Sequence, residues 1–392
     1  MSGYTKHMFE KDLIKINHDL TKYINSLIPL LPYAYNFDTI KELLKQYYSY
    51  EWFIINEKHK YYHIKEDCLR RHGKKSRFQM DSPCKIVSKL PVFRRITNQA
   101  YIYQHQNKYN EEVREQYESH FTSQRNPKIK RIYDKIKKAK VKTQQVEPEF
   151  LDVLMGLYDK KSTTQKDKVY IFVELQKYYC PKVINFFSKK VDTEYNPQLR
   201  RMAFEHLQSF GFQPILRRQK YMKIPSKNKK RREYLKNVYA KERYDIKSIP
   251  EELEYRIENS KEQMIKSYDF FISHSSVDYL AVQTLIQYLN AKGKNIYCDW
   301  INDNDYLKRK LVGRSTLSVI EKRLQQSKAI MFVISDNSLY SNWCKYELNY
   351  FNEIGKPIYT IRIDDVLKGN FNYDLLQKTW FLDYEYRNLA LF

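Results

Sequence analysis

The sequence predicts an α/β fold in the C-terminal third of the chain and an all-α domain in front of it. From Tyr268 onward, short apolar runs alternate with segments of helical periodicity, as in an open parallel sheet covered by helices on both faces. The chain has 392 residues and a net charge of +24, of which residues 1–267 carry +23. We therefore predict a basic α-helical sensor or regulatory domain over residues 1–247, a linker helix over 248–267 and an α/β domain over 268–392.

The N-terminal segment is predicted to be helical because its apolar residues recur every three to four positions. The pattern begins near residue 8, breaks at residues 29–32, where two prolines stand, and resumes in a helix from about Asp38 through Trp52. A charged helical pattern follows over residues 92–142. Its last part, residues 127–142, is a basic amphipathic helix that is either a solvated face or a phosphate-binding stripe.

Residues 168–212 resemble a HEAT-like helical hairpin, with helix starts expected at Pro181 and Pro197. One hairpin does not establish a solenoid, which needs several stacked repeats. The densest basic run, residues 215–232, is expected to be flexible or partly ordered, with Tyr221 available for stacking on a nucleic-acid base. The strong positive charge favours an anionic partner, which could be nucleic acid, an acidic protein surface or lipid headgroups.

The C-terminal elements follow from short apolar runs and from capping residues between them. Asp278 is expected to cap a helix that ends at Gly293, and Asn342 a helix that ends near Asn352. A further helix is expected around residues 317–324, after a polar loop over 302–314. The predicted strands are Tyr268–Ser273, Asn295–Trp300, Ala329–Ser335, Pro357–Ile363 and Trp380–Leu382.

Ligands of such sheets bind beyond the carboxyl ends of the strands, which here carry residues 273–276, Asp299 and residues 335–341. Trp343 and Glu347 lie four positions apart on the last predicted helix and therefore share a face. A carboxylate that is backed by an aromatic residue at this crevice suits catalysis. The alternative is that Glu347 is a surface charge and Trp343 a core anchor.

Two motifs resemble the TIR (Toll/interleukin-1 receptor) domain family, and the resemblance covers residues 268–392. YDFFISHSS at residue 268 is similar to the family's first box, and SLYSNWCKYEL at residue 338 to the form Y-x-x-S-x-W-C-x-x-E-L of plant and many bacterial members. The resemblance implies a flavodoxin-like fold and, in the bacterial NAD-cleaving branch, cleavage of the nicotinamide–ribose bond. NAD+ would then be the substrate, with no cofactor.

The resemblance also implies residue roles. Glu347 would be the catalytic carboxylate that stabilises an oxocarbenium-like transition state. This chain departs from relatives that carry basic or aromatic residues just after F-I-S or an aromatic residue after the loop glycine, so adenine stacking would need Trp300 or Tyr306. The implied substrate-binding residues are Ser273, His274, Ser275, Asp299, Trp300, Gly313 and Trp343.

The sequence is compatible with two classes of function. The first is a TIR-domain NAD+ glycohydrolase or cyclase that is activated by self-association through TIR domains, in antiphage defence, with an anionic trigger (nucleic acid or nucleotide) or a protein trigger at the N-terminal domain. The second is a non-catalytic TIR scaffold or adaptor that mediates protein–protein interaction. Glu347 favours the enzyme, because scaffold-type members commonly lack that glutamate.

The composition bears on the cellular location of the protein and on whether it has a metal site. No window approaches 18 apolar residues, and the N-terminus lacks the apolar stretch of a secretory signal, so neither a membrane span nor secretion is expected. The cysteines show no metal-ligand spacing, so no metal site is predicted. Their odd number in a long chain predicts reduced thiols and a cytoplasmic location. They are Cys68, Cys84, Cys180, Cys298 and Cys344.

Overall fold

The computed structural model describes residues 4–218, 222, 224, 226–241, 243–308 and 312–376. The chain forms two compact units, one of residues 1–137 with 211–213 and one of residues 138–210 with 214–392. These units have other boundaries than the predicted segments 1–247, 248–267 and 268–392. The reason is that helices between residues 138 and 264 bury apolar and charged side chains against the C-terminal sheet region.

The first unit is helical, as predicted, and its core lies along the apolar stripe of its first helix, where Ile16, Leu20 and Ile24 are almost fully buried. A 3-10 turn at Ile28–Leu30 ends this helix at the predicted proline break. The predicted helix from Asp38 through Trp52 is divided in two at Tyr48. The helices that begin in this unit are α1 (Tyr4–Leu27), α2 (Phe37–Tyr47), α3 (Ser49–Arg71), α4 (Pro83–Lys89), α5 (Pro91–Ile96), α6 (Gln99–Lys108) and α7 (Glu111–Val141).

The basic segment over residues 127–142 forms the second half of the long helix α7, which continues through Pro127. Every residue of α7 is described, and none of its side chains is buried. The cations at positions 128, 131, 135 and 138 recur every three to four residues, so they lie along one exposed stripe. The structure therefore leaves these charges available to a partner, and phosphate binding stays a prediction.

Two helices of the second unit begin where the sequence predicted, α10 at Pro181 and α11 at Pro197. The side chain of Asn196 caps α11 by accepting hydrogen bonds from the backbone N–H groups of Gln198 and Leu199. Tyr221, the predicted stacking residue, lies outside the described residues. The helices before the sheet are α8 (Phe150–Asp159), α9 (Gln165–Gln176), α10 (Pro181–Thr193), α11 (Pro197–Ser209), α12 (Lys229–Lys241), α13 (Pro250–Asn259) and α14 (Lys261–Met264).

The sheet has the strand order β2-β1-β3-β4-β5, and its first four strands run parallel. This is the predicted flavodoxin-like order, with the strand order reversing beside β1. The last strand pairs antiparallel with β4. The predicted fifth strand, residues 380–382, lies outside the described residues. The strands are β1 (Tyr268–Ser273), β2 (Ile296–Tyr297), β3 (Ser327–Ile334), β4 (Ile358–Arg362) and β5 (Asp374–Leu375).

Helices cover both faces of the sheet, and three local expectations need correction. The cap of α19 is Ser341 and not Asn342, since Ser341 Oγ accepts from the backbone N–H of Cys344. Asp278 precedes α15 but makes no capping hydrogen bond. The predicted strand Asn295–Trp300 turns into a helix after Tyr297. The helices are α15 (Tyr279–Ala291), α16 (Asp299–Asn302), α17 (Arg314–Gln326), α18 (Asp336–Leu339), α19 (Asn342–Glu353) and α20 (Ile363–Leu367).

A buried cluster of charges joins the preceding helices to the sheet region. Glu174 of α9 pairs with Lys177 and Lys266, and Lys177 Nζ lies 3.5 Å from Asp303 Oδ1. Asp303 in turn accepts hydrogen bonds from Arg323 of α17. All five side chains are buried. Opposite charges that are fully enclosed in this way fix the elements that carry them, because separation would leave a charge unpaired in the interior.

The predicted linker helix is part of this packing. Leu253 of α13 is fully buried in a cluster with Tyr306 and Val319. The Arg256 guanidinium pairs with Glu262 and lies 3.6 Å from the centre of the Tyr170 ring. The segment is therefore helical, but it forms the two helices α13 and α14, which are divided at Ser260, and not the single linker helix that was expected. It also belongs to the core of the second unit.

In the described part of the chain, none of the helices has both the length and the apolar character needed to span a membrane.

Candidate active site

Glu347 lies on the inward face of α19, which packs against the sheet. Cys344, Leu348 and Phe351 recur at helical spacing on this face and are fully buried in the core. Glu347 lies within the same stripe and is 9% exposed. The sequence left open whether this carboxylate is a surface charge. Its burial among apolar neighbours excludes a surface charge.

The pKa of Glu347 is raised to about 8, chiefly by burial and to a smaller extent by the negative charge of Asp299, while the Ser273 hydroxyl opposes the shift. Ser273 ends β1 and is fully buried, and its Oγ makes no well-formed hydrogen bond to a described residue. The site therefore contains a carboxyl group and a hydroxyl group that are both withdrawn from water. A cation placed beside Glu347 would favour its ionised form.

His274, Cys298 and Asp299 come together beside the ends of β1 and β2. One ligand atom from each side chain lies within 4.8 Å of the other two. The parallel pairing of β1 with β2 explains this, because His274 follows one strand and Cys298 with Asp299 follows the other. Two of the three residues, His274 and Asp299, were predicted substrate contacts. The sequence missed Cys298, whose position directly before Asp299 was the available signal.

Asp278 connects two loops at this edge of the sheet. Its carboxylate accepts hydrogen bonds from Ser335 Oγ and, at 2.9 Å, from Asn337 Nδ2, so the loop after β1 is fixed to the loop after β3. Ser275, a predicted substrate contact, accepts a hydrogen bond from the backbone N–H of Val277 and shapes the same turn. The sequence offered Asp278 only as a helix cap. A side chain that bonds across 57 residues leaves no local pattern.

The two aromatic candidates for adenine stacking have different surroundings. Trp300 is partly exposed and packs against the core on one side of the sheet, and its Nε1 is buried without a hydrogen-bond partner among the described residues. Tyr306 is fully buried against Leu253 and Val319. The expectation that Tyr306 could stack on adenine is therefore wrong, because its ring is enclosed by helices. Trp300 remains available.

The other predicted contacts have different positions. Trp343 packs, partly buried, against the core beneath α19 and so anchors the helix that carries Glu347. Gly313 is exposed at the start of α17, where its N–H donates to Thr316 Oγ1. Residues 309–311 lie outside the described residues. The role of Gly313 as a substrate contact therefore stays a prediction.

Comparison with known proteins places this region in a family. A family model described as "TIR domain" matches residues 270–388. The chain is 36% identical over 373 residues, 95% of each chain, to "Putative cyclic ADP-D-ribose synthase TIR2" of Cytobacillus dafuensis. It is 36% identical over 107 residues, 27% of this chain and 53% of the relative, to "Probable 3' cyclic ADP-D-ribose synthase ThsB'" of Bacillus cereus (strain MSX-D12). No solved structure matches. The first relative matches through the helical part as well as the sheet.

Proposed function

Because this chain belongs to the TIR domain family, we propose that it cleaves NAD+ at the bond between nicotinamide and ribose, with Glu347 as the catalytic carboxylate. The observation that carries the proposal is the burial of Glu347 at the end of β1, beside the Ser273 hydroxyl. The names of both relatives, which describe cyclic ADP-D-ribose synthases, support the same substrate class.

The chemistry fits a single carboxylate. The nicotinamide ring of NAD+ is cationic, so it leaves as a neutral molecule when it takes the electron pair of the glycosidic bond. The ribose C1 becomes an oxocarbenium-like centre, and a fixed negative charge beside it lowers the barrier. In a buried site this charge interacts more strongly than it would in water. Glu347 therefore supplies transition-state stabilisation.

The raised pKa of Glu347 favours a cationic substrate. Without ligand, burial keeps a proton on this carboxyl group up to about pH 8. The bound nicotinamide cation places a positive charge beside the carboxyl group and lowers that pKa, so the proton is released to solvent as the substrate binds. The carboxylate is therefore ionised only when the substrate is bound. The Ser273 hydroxyl provides a donor that can orient it.

We propose cyclisation as the second half-reaction, following the names of the relatives. After nicotinamide leaves, a nucleophile of the same molecule forms a bond to the ribose C1. An adenine nitrogen or a hydroxyl of the other ribose can act, and a hydroxyl gives up its proton as the bond forms. Water is the competing nucleophile and gives ADP-ribose. An active site that encloses the bound substrate and excludes water would favour the cyclic product.

Activation by self-association is supported by apolar residues that are exposed near this edge of the sheet. Val277, just before α15, and Tyr279 and Leu280, in its first turn, are each more than half exposed, and Tyr340 before α19 is 84% exposed. Asp278 connects the two loops concerned, so the residues belong to neighbouring surfaces. Large exposed apolar side chains that cluster are typical of protein interfaces. A second copy of the domain would cover them.

The setting that we propose is antiphage defence in the cytoplasm, by loss of NAD+ or by a cyclic nucleotide signal. All five cysteines are free, which suits a reducing compartment. The trigger would bind the N-terminal region. The exposed cations of α7 support a polyanion, and a cavity of about 460 Å³ between α1 and the α4–α5 region offers space for a small molecule.

The test is product identification. The purified protein is incubated with NAD+ over a range of protein concentrations, with and without nucleic acid. The products are then separated by chromatography and identified from their masses by mass spectrometry. We expect nicotinamide and a second product that is lighter than ADP-ribose by one water. ADP-ribose alone would identify a glycohydrolase. Assembly without any release of nicotinamide would identify the non-catalytic scaffold and overturn the proposal.

A further inference from the structure

The cluster of His274, Cys298 and Asp299 has a composition that substrate binding does not explain. A thiol, an imidazole and a carboxylate are the three ligand types of protein zinc sites. Their ligand atoms all lie within 4.8 Å of one another. An ion at the centre of such a triangle would be at most about 2.8 Å from each atom, and zinc bonds of about 2.0 to 2.3 Å need inward movements of less than about 1 Å.

The surroundings of His274 suit a metal ligand. Its Nδ1 lies 3.3 Å from the backbone carbonyl oxygen of Ile272. Donation of the Nδ1 proton to that carbonyl leaves the lone pair on Nε2, and metal-binding histidines usually make this kind of second contact. Asp299 is exposed and Cys298 is fully buried, so the carboxylate side is the route of entry. The Cys298 sulfur lies 3.9 Å from Asp299 Oδ1.

The cluster adjoins the proposed catalytic residue. His274 follows Ser273, which lies beside Glu347, and the charge of Asp299 acts on Glu347. A bound divalent ion would occupy His274 and Asp299, which are expected substrate contacts. It would also neutralise the negative charge of Asp299, which would otherwise attract the nicotinamide cation. Metal and substrate would therefore exclude each other.

We propose that His274, Cys298 and Asp299 form a binding site for a thiophilic divalent cation such as Zn²⁺, and that the bound ion inhibits the enzyme. Zinc binds the Cys298 sulfur as thiolate, and the thiol proton is released to solvent. Water completes the tetrahedral coordination. The binding step stands independently of the proposed function, whereas the inhibition rests on it.

Binding is tested with Co²⁺ on the full chain, because a cobalt–thiolate bond gives a charge-transfer absorption band in the near ultraviolet. We expect the band to appear with one equivalent of Co²⁺ and to disappear when Zn²⁺ displaces it. Cys298→Ser should remove the band. Cys68→Ser is the matched control, since Cys68 Sγ lies 3.9 Å from His72 Nδ1 in a second Cys–His pair, on α3. His274→Gln serves as a second variant if Cys298→Ser does not fold.

Inhibition is tested by initial rates of nicotinamide release at several NAD+ concentrations. Zn²⁺ should raise the apparent KM at least tenfold with little change in kcat, and chelation should restore it. In Cys298→Ser, whatever its metal-free rate, the apparent KM should no longer change with Zn²⁺. A cobalt band that survives in Cys298→Ser and disappears in Cys68→Ser, or no band in the wild type, would overturn the site. A band without zinc inhibition of an active enzyme would overturn only the inhibitory role.

Discussion

Arg323 donates two hydrogen bonds to the carboxylate of Asp303, at 2.8 and 3.2 Å, and neither side chain is exposed to solvent. Asp303 also accepts a hydrogen bond from the Tyr297 hydroxyl at 3.0 Å. This pair fixes the segment after β2 to α17, and Lys177 extends the contact to α9. Nearby positive charges hold the pKa of Asp303 well below its usual range despite burial, which itself raises it.

The first prediction concerns this pair. Asp303→Asn should lower the free energy of unfolding by about 3–5 kcal/mol, because the Arg323 charge would remain buried without its partner. Urea denaturation at neutral pH measures the change. Asp305→Asn is the control, since Asp305 is exposed two positions later. Equal stability of the two variants would show that the buried pair contributes nothing.

The pH dependence of the same cluster has a defined sign. Asp303 and Glu174 both have pKa values below those of the unfolded chain, and that of Glu174 is lowered to about 2. Their contribution is complete above about pH 4 to 5 and disappears as the pH falls through the folded values. Asp303→Asn should therefore destabilise the protein less at pH 3 than at pH 7. An unchanged difference between the two pH values would contradict the assigned protonation.

Glu347 should behave in the opposite way. Burial raises its pKa from 4.5 to about 8, so between these values the folded chain holds a proton that the unfolded chain has lost. Its penalty on stability is absent below the lower value and complete above the upper one. Glu347→Gln should match the wild type at pH 4 and be more stable by roughly 5 kcal/mol at pH 8.5. Denaturation at both pH values checks this, and a constant gap would contradict it.

Self-association should depend on the exposed apolar residues at the start of α15. Leu280→Asp should reduce assembly and lower nicotinamide release at high protein concentration at least tenfold, since a buried charge opposes the contact. Ile14→Asp, at a position that is 70% exposed on α1, is the control. Analytical ultracentrifugation and the activity assay are run together. A monomeric Leu280→Asp protein with full activity would exclude control by assembly.

Binding of polyanions should depend on the α7 stripe. Alanine at Lys128, Arg131, Lys135 and Lys138 should weaken nucleic-acid binding and reduce the slope of log K against log salt, because fewer counterions are released. Alanine at the exposed pair Lys160 and Lys161 is the control. Fluorescence anisotropy at several salt concentrations measures both. An unchanged slope in the α7 variant would show that the α7 stripe does not bind the polyanion.

The sequence predicted the fold class because its signals are local. Apolar runs such as Ala329–Ser335 identify buried strands, and Pro181 and Pro197 identify helix starts where the structure has them. Boundaries were less predictable where a side chain acts at a distance. Asp278 looked like a cap but bonds to Ser335, and Ser341 takes the capping position that Asn342 also suited.

The part of the site that local spacing and strand order determine could be predicted from the sequence. Spacing placed Glu347 and Trp343 on one face, and the sheet topology placed Ser273 and His274 at the same edge. Spacing could not show that Glu347 is buried, that Tyr306 is enclosed by α13, or that Cys298 approaches His274. Each of these depends on elements that are far apart in sequence, and a local pattern does not encode such contacts.

The most direct test of the central claim is the rate of nicotinamide release by Glu347→Gln, which keeps the size of the side chain and removes its charge. We compare it with Glu353→Gln, at the exposed end of the same helix, at a concentration where the wild type is active. The account predicts a loss on the order of 10³-fold or more for Glu347→Gln and a wild-type rate for the control. A folded Glu347→Gln protein that releases nicotinamide at the wild-type rate would contradict it.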